Sequence, residues 1–203
     1  MKTTILTIFT ALVLSTGIAA TTYAAPAKGE NVTVLTGISA INKIEVRGNV
    51  QLYISDGATD RVKVYNKYYA ESALVQSANG VLRISSYKAE KLVVWVTASE
   101  LSSVSAYDNA EVKSFGDISK IEFNVDLHNN ATAKLALEAY TANVTVADQA
   151  KACLSGDVNE VDLKYSHAEN VNCSDLVTTH ASKTCTTTSA RIRTEADELA
   201  DLF

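Results

Sequence analysis

Between Val104 and Cys173 the chain writes one short pattern four times, and this repetition constrains the fold more than any other feature. The copies are Tyr107-Asp108-Asn109-Ala110-Glu111-Val112, His128-Asn129-Asn130-Ala131-Thr132-Ala133, Ala147-Asp148-Gln149-Ala150-Lys151-Ala152 and Ala168-Glu169-Asn170-Val171-Asn172-Cys173. Ala110 to Ala131 is a step of 21 residues, Ala131 to Ala150 of 19, and Ala150 to Val171 of 21. The columns agree in chemistry: an acid or amide, an amide, a small apolar residue, a polar residue, and a second small apolar one. Ahead of each copy runs an alternating segment whose matching column is Val104, Val125, Val144 and Tyr165.

A period near twenty is the length of one unit in a stacked array, where a piece too small to bury its own apolar face buries it against its neighbours. The unit reads strand, turn, strand. Ala110, Ala131, Ala150 and Val171, then Val112, Ala133, Ala152 and Cys173, alternate with polar residues, as on a strand with one buried face. Equivalent strands stacked in parallel bring successive coils to about 4.8 Å, so the polar residues at each turn form a ladder of like on like. Asp and Asn also tolerate the left-handed backbone that a sharp corner needs. The expectation is an all-β chain wound as a single-stranded parallel β-helix; a sandwich of antiparallel strands is the competing arrangement.

Ahead of the repeats the side chains are larger. Ile41, Ile44 and Val46 precede Gly48; Val50, Leu52 and Ile54 alternate up to Asp56-Gly57; Val62 and Val64 alternate again; Asn79-Gly80 breaks the chain before Val81, Leu82 and Ile84; Leu92, Val94 and Val96 follow. Turn residues punctuate every run and no 3.6-residue period is sustained, so this half is β as well. It is expected as a wider section, with two layered sheets closing one end of the coil, because an open end would leave an apolar cross-section wet. A fifth copy can be placed at Thr188-Ser189-Ala190-Arg191-Ile192 behind a polar segment, and Glu195 to Phe203 offers Leu199, Leu202 and Phe203 on one helical face.

Lys2 followed by an apolar run from Ile5 to Ala20, with small residues at Thr22 and Ala24, reads as a secretory signal. The expected organisation is a signal peptide over 1–24, a linker over 25–30, the β domain over 31–193 and a tail over 194–203. No stable membrane span remains once the signal is cleaved; an uncleaved anchor is the alternative. With 47% hydrophobic and 20% charged residues, the 203-residue chain has the make-up of one globular domain. Removing residues 1–24 takes away Lys2 and no acid, so the formal charge moves from −5 to −6. An acidic protein of this kind is a poor partner for nucleic acid.

The order Ile41-x-x-Ile44-x-Val46-x-Gly48, Val50-x-Leu52, Val62-x-Val64, Gly80-x-Leu82-x-Ile84 and Val94-x-Val96, leading to Leu101 and a run of short repeats, is similar to the putative auto-transporter adhesin, head GIN domain family. These are exported proteins common in Bacteroidota. The resemblance spans Val32 to Ile192 and implies a right-handed parallel β-helix. It brings no catalytic, cofactor or binding residues with it. Where the family carries Ser-Gly at the repeat corner, this chain has Asp-Asn, Asn-Asn, Asp-Gln and Glu-Asn.

Reactive chemistry is thinly represented. Asp108 and Asp148 share a column two coils apart, roughly 10 Å by strand spacing, which is the far limit for an inverting hydrolase; the bland reading is a pair of solvated corners. No nucleophile has a His at a recognisable spacing, no phosphate loop occurs, and no catalytic, cofactor or metal residues are assigned. His128, His167 and His180 share no column with a Cys, which argues against zinc. Cys153 and Cys173 lie one coil apart, with Cys173 in the column of Ala152 and Cys153 beside it pointing the other way. They read as small buried residues or as half of a bridge, Cys153 to Cys173 or Cys173 to Cys185. Tyr65, Tyr68, Tyr69, Tyr87 and Trp95 could stack on glycan rings or simply pack.

The function these residues support is an exported, non-enzymatic protein of the cell envelope or surface, in the periplasm or outside. Its stacked polar turns (Asp108, Asn109, Asn129, Asn130, Asp148, Gln149, Glu169 and Asn170) form a ridge for a glycan or a surface protein. The alternative is a polysaccharide-acting β-helix enzyme using turn carboxylates.

Overall fold

The computed structural model describes residues 32–38, 40–65 and 73–186. The expected signal peptide and linker, Tyr68, Tyr69, the fifth copy around Ala190 and the C-terminal tail lie outside them. Among the described residues the chain is all β apart from one 3-10 turn, Ala168–Asn170. The strands are β1 (Val32–Leu35), β2 (Lys43–Gly48), β3 (Val50–Asp56), β4 (Arg61–Tyr65), β5 (Ala73–Ala78), β6 (Val81–Ser86), β7 (Leu92–Ala98), β8 (Ser103–Ala106), β9 (Glu111–Ser114), β10 (Ile118–Leu127), β11 (Thr132–Val146), β12 (Lys151–Tyr165) and β13 (Val171–Cys185).

The period-2 runs become strands with one face inward. In β7, Leu92, Val94, Val96 and Ala98 are buried while Val93, Trp95 and Thr97 face out, the alternation a pleated backbone imposes. The sheet order is β1-β4-β7-β3-β9-β11-β10-β8-β2-β6-β5, with β12 on β11 and β13 on β12. Strand β11 turns this sheet back on itself. Thr132 to Lys134 pair with β9, whereas Leu137 to Val146 pair with β10. The sheet thus runs out along one flank and returns along another. Leu52, Val94 and Val112 on the first share a single core with Val46, Ile84 and Val104 on the second.

The stacking of the repeats is direct. Val125 lies beside both Val104 and Val144. Thr132 N–H donates to the Ala110 carbonyl and Lys151 N–H to the Ala131 carbonyl, each at 2.9 Å, which places Ala131 between Ala110 and Ala150. Asp108, Asn129 and Asp148 adopt φ of 62°, 60° and 56°, the left-handed corner that short polar side chains tolerate. Pairing is parallel throughout these repeats; among the described residues antiparallel pairs are confined to β1 with β4, β4 with β7, and β5 with β6. An antiparallel sandwich is therefore not the arrangement adopted.

One expectation is refined and another corrected. The N-terminal strands carry both flanks beyond the first repeat, β3-β7-β4-β1 on one and β2-β6-β5 on the other, so that half closes one end of the stack as part of the same sheet. The β2–β3 pair sits between β6–β7 and β8–β9, so the order of strand pairs in space departs from their order in sequence. The corner of the β2–β3 pair is Gly48, with φ +80° and a would-be Cβ only 2.1 Å from the Ser86 carbonyl oxygen, a space that no other residue fits. The fourth copy is out of step by two residues: Tyr165 pairs with Val146 and Val171 with Ala152, so Leu163 holds the column assigned to Tyr165. Cys173 consequently does not stack on Ala152. Asn172 lies opposite Cys153, and a bulge before Ser155 moves the pairing on by one residue.

Candidate functional site

The polar ridge is a line of corners welded by hydrogen bonds. Asn130 N–H donates to the Asp108 carbonyl and Gln149 N–H to the Asn129 carbonyl, both at 2.9 Å, so Asp108, Asn129 and Asp148 form one column and Asn109, Asn130 and Gln149 the next. The Asp108 carboxylate accepts from Gly48 N–H at 3.1 Å and the Tyr87 hydroxyl at 3.3 Å on one oxygen, and from the Asn129 amide at 3.1 Å on the other. Asp148 accepts the Asn129 backbone N–H at 2.9 Å. These side chains replace the backbone partners that a left-handed corner turns away from the ladder. Asn109, Asn130 and Gln149 point to solvent.

Glu169 and Asn170 do not join either column. Because the fourth copy is displaced, Ser166 N–H takes the Val146 carbonyl and His167 stands over Asp148, its Nδ1 2.9 Å from the Asp148 carbonyl oxygen. Glu169 is exposed in the 3-10 turn. In exchange the ridge gains a member at its other end. Gln51 pairs with Glu111 and Leu52 with Val112, so Arg47-Gly48-Asn49-Val50-Gln51-Leu52 is a further copy of the pattern. Asn49 there donates to the Lys88 and Ala89 carbonyls at 3.1 and 2.9 Å. Its distance from the Ala110 copy, 60 residues, is three periods, which is the signal that could have revealed it.

A second feature lies on the outer face of the β4-β7-β3-β9 flank. Trp95 stacks on Tyr53 with centroids 4.6 Å apart and planes 22° apart, and Phe115 and Tyr65 tilt against it at 5.2 and 6.4 Å. Of the aromatic residues singled out in the sequence, Tyr65 and Trp95 meet here; Tyr87 stands at the corner on Asp108 instead. Lys91 and Lys113 both pair with Glu111; the Lys91 ammonium, then Lys113, hold that carboxyl below its ordinary range against the opposing effect of burial. On the opposite flank Tyr107 stacks on His128 at 4.9 Å with Arg47 4.0 Å over its ring.

At the far end, Cys153 and Cys173 are half-buried thiols, and burial pushes the Cys173 thiol up, opposed by Lys183. Cys185 Sγ lies 3.9 Å from the Ser166 carbonyl oxygen. Glu138 and Asp157 face each other on β11 and β12. Among the described residues, no three His, Cys, Asp or Glu side chains converge as a bound cation requires, and no helix is long and apolar enough to cross a membrane.

Comparison with curated proteins gives no match. Among solved structures, a putative adhesin from Parabacteroides merdae ATCC 43184 superposes with a TM-score of 0.60 at 13% identity, over 75% of each chain. A putative adhesin from Parabacteroides distasonis ATCC 8503 gives 0.57 at 14% identity, over 75% of this chain and 77% of that one. A putative lipid binding protein from the same organism gives 0.53 at 9% identity, over 75% and 76%. At these identities the likeness is one of fold. Sequence carries the assignment further: the model of the putative auto-transporter adhesin, head GIN domain, matches residues 40–202, and the chain belongs to that family.

Proposed function

We propose that the protein is an exported, non-enzymatic binding module of the cell envelope or surface, wound as a right-handed parallel β-helix whose corners offer a polar ridge to a glycan or a surface protein. The observation that carries this reading is the state of the corners. Asp108 has both oxygens occupied by Gly48, Tyr87 and Asn129, which suits a fixed scaffold better than an acid or base that must exchange protons. Asn109, Asn130 and Gln149, rigidly spaced by the coil, remain open for contact. Near-constant pairing steps support the helical winding: 21 residues from Val104 to Val125 and 19 from Val125 to Val144. Membership of a family of putative adhesins, and fold neighbours bearing that name, support the surface role. The apolar run after Lys2 supports export.

The test is location. In intact cells of the source organism, the protein is expected to be shortened by its signal and cut by protease added outside. Full protection, with cleavage only after the envelope is opened, overturns the surface role.

A further inference from the structure

On the outer face of one flank the side chains in register read Val34, Lys63, Trp95, Tyr53, Lys113 and Lys134, strand by strand. Trp95 on β7 therefore has β3 on one hand and β4 on the other. Its ring lies nearly parallel to that of Tyr53 on the β3 side, so its opposite ring face looks toward β4. On that side is a cavity of about 210 Å³ lined by Arg61, Lys63, Tyr65, Trp95 and Thr97. Tyr65, tilted by 59°, forms an end wall. The Thr97 hydroxyl is tied to Ser55 at 2.9 Å along another edge.

The charges in this slot differ from those of the neighbouring Lys91 and Lys113. Lys91 and Lys113 are matched by Glu111, Lys120 by Asp56, and Lys43 and Arg83 by Glu45. Among the described residues neither Arg61 nor Lys63 has such a partner. Among the described residues, Arg61 and Lys63 thus set two cations without an ion-pair partner beside the indole face, on a chain with a formal charge of −5.

We infer that this slot binds one acidic pyranose ring of a glycan, with a C–H face on Trp95 and the carboxylate or sulfate between Arg61 and Lys63. The inference rests on the reading of the protein as a surface binding module. The π-face of Trp95 carries partial negative charge and accepts the polarised C–H groups of a sugar ring. The guanidinium fork of Arg61 matches a carboxylate or sulfate with two parallel bonds. The volume admits one ring, and the rest of the glycan is left in solvent. A neutral sugar would gain only the stacking, and an anionic lipid headgroup only the charges; the acidic sugar gains both.

Trp95 is the chain's single tryptophan, so its fluorescence reports this slot alone. The purified chain is titrated with trigalacturonate and a heparin tetrasaccharide, with maltotriose as the neutral probe and phosphatidylglycerol vesicles as the lipid probe. A saturable change is expected with at least one acidic glycan, and binding about tenfold or more weaker with maltotriose, as loss of a charge-assisted contact implies. Lys63→Gln and Arg61→Gln, both at solvent-facing positions, should each weaken binding about tenfold with an unchanged thermal unfolding curve. Equal response to maltotriose, response to vesicles alone, or silence with both acidic probes overturns the slot. A protein that is protease-accessible on cells yet silent in this titration loses the slot and keeps the surface role.

Discussion

Strands β11 and β13 are both fifteen residues long, and each pairs in parallel with β12, yet they meet water differently. Along β11, Ala133, Leu135, Leu137, Ala142, Val144 and Val146 are all buried. Along β13 no residue is fully buried; Val171, Cys173 and Leu176 only pack partly against the core. The cause is written in the inward column. Over the buried Val158, Val161 and Leu163 of β12, strand β13 sets Thr178, Ala181 and Lys183. A stacked repeat needs a neighbour on both sides to seal its core, and the last described repeat has one. The contrast teaches that the repeat buries a strand where neighbours stack on both sides, and leaves it half in water where, among the described residues, only one does.

The largest test of this contrast is to remove an inward leucine from each strand. Leu135→Ala should cost about 3 kcal/mol or more, the usual range for a cavity in a closed core, since Leu135 is wholly buried. Leu176→Ala should cost about 1 kcal/mol or less, because only part of its surface leaves water. Urea unfolding of the two variants measures the difference; equal losses would mean that β13 is sealed as tightly as β11.

A smaller effect separates the corners. Asp108→Ala strands Gly48 N–H and the Asn129 amide, and should lower stability by about 1–2 kcal/mol. Glu169→Ala, in the displaced fourth corner, should change it by less than about 0.5 kcal/mol. Thermal unfolding of both variants decides it. A strong effect at Glu169 would mean that the fourth corner is tied into the stack as the first three are.

How much of this was legible in the chain follows from which interactions are local. The corner at Asp108, Asn129 and Asp148 was readable because one residue both adopts the left-handed backbone and supplies the linking oxygen or amide. The copy at Gly48-Asn49 was not read: it lies three periods away, and its corner residue is Gly, the steric answer to the Ser86 carbonyl, rather than an acid. The fourth copy misleads by two residues because Ala168-Glu169-Asn170-Val171 matches the letters of the pattern, whereas pairing follows the strand before it and puts His167 over Asp148. The slot beside Trp95 was only half legible. Tyr65 and Trp95 stood out as aromatics, but Tyr53 and Lys63 join them through cross-strand register, and that register depends on β2–β3 being inserted between β6–β7 and β8–β9. The amides Asn109, Asn130 and Gln149, by contrast, needed only the period.

The smallest expected change in stability belongs to Lys183, and its readout is association. Lys183 lies over Leu163 and lines a cavity of about 320 Å³ with Leu163, Tyr165, Val171 and Cys173. Among the described residues β13 is an edge strand, and a charge at an inward position of an edge keeps it from pairing with another sheet, because pairing would bury the ammonium. Lys183→Leu removes that obstacle and adds apolar surface, so folding stability should move by no more than about 0.5 kcal/mol while self-association rises. Sedimentation of the full-length variant should show a concentration-dependent dimer or larger species where the parent chain shows less. Lys183→Gln should stay close to the parent, since an amide in that place still needs water. If leucine leaves the sedimentation profile unchanged, the charge at Lys183 is not what guards the edge, and the difference between β11 and β13 comes only from β13 having one neighbour among the described residues.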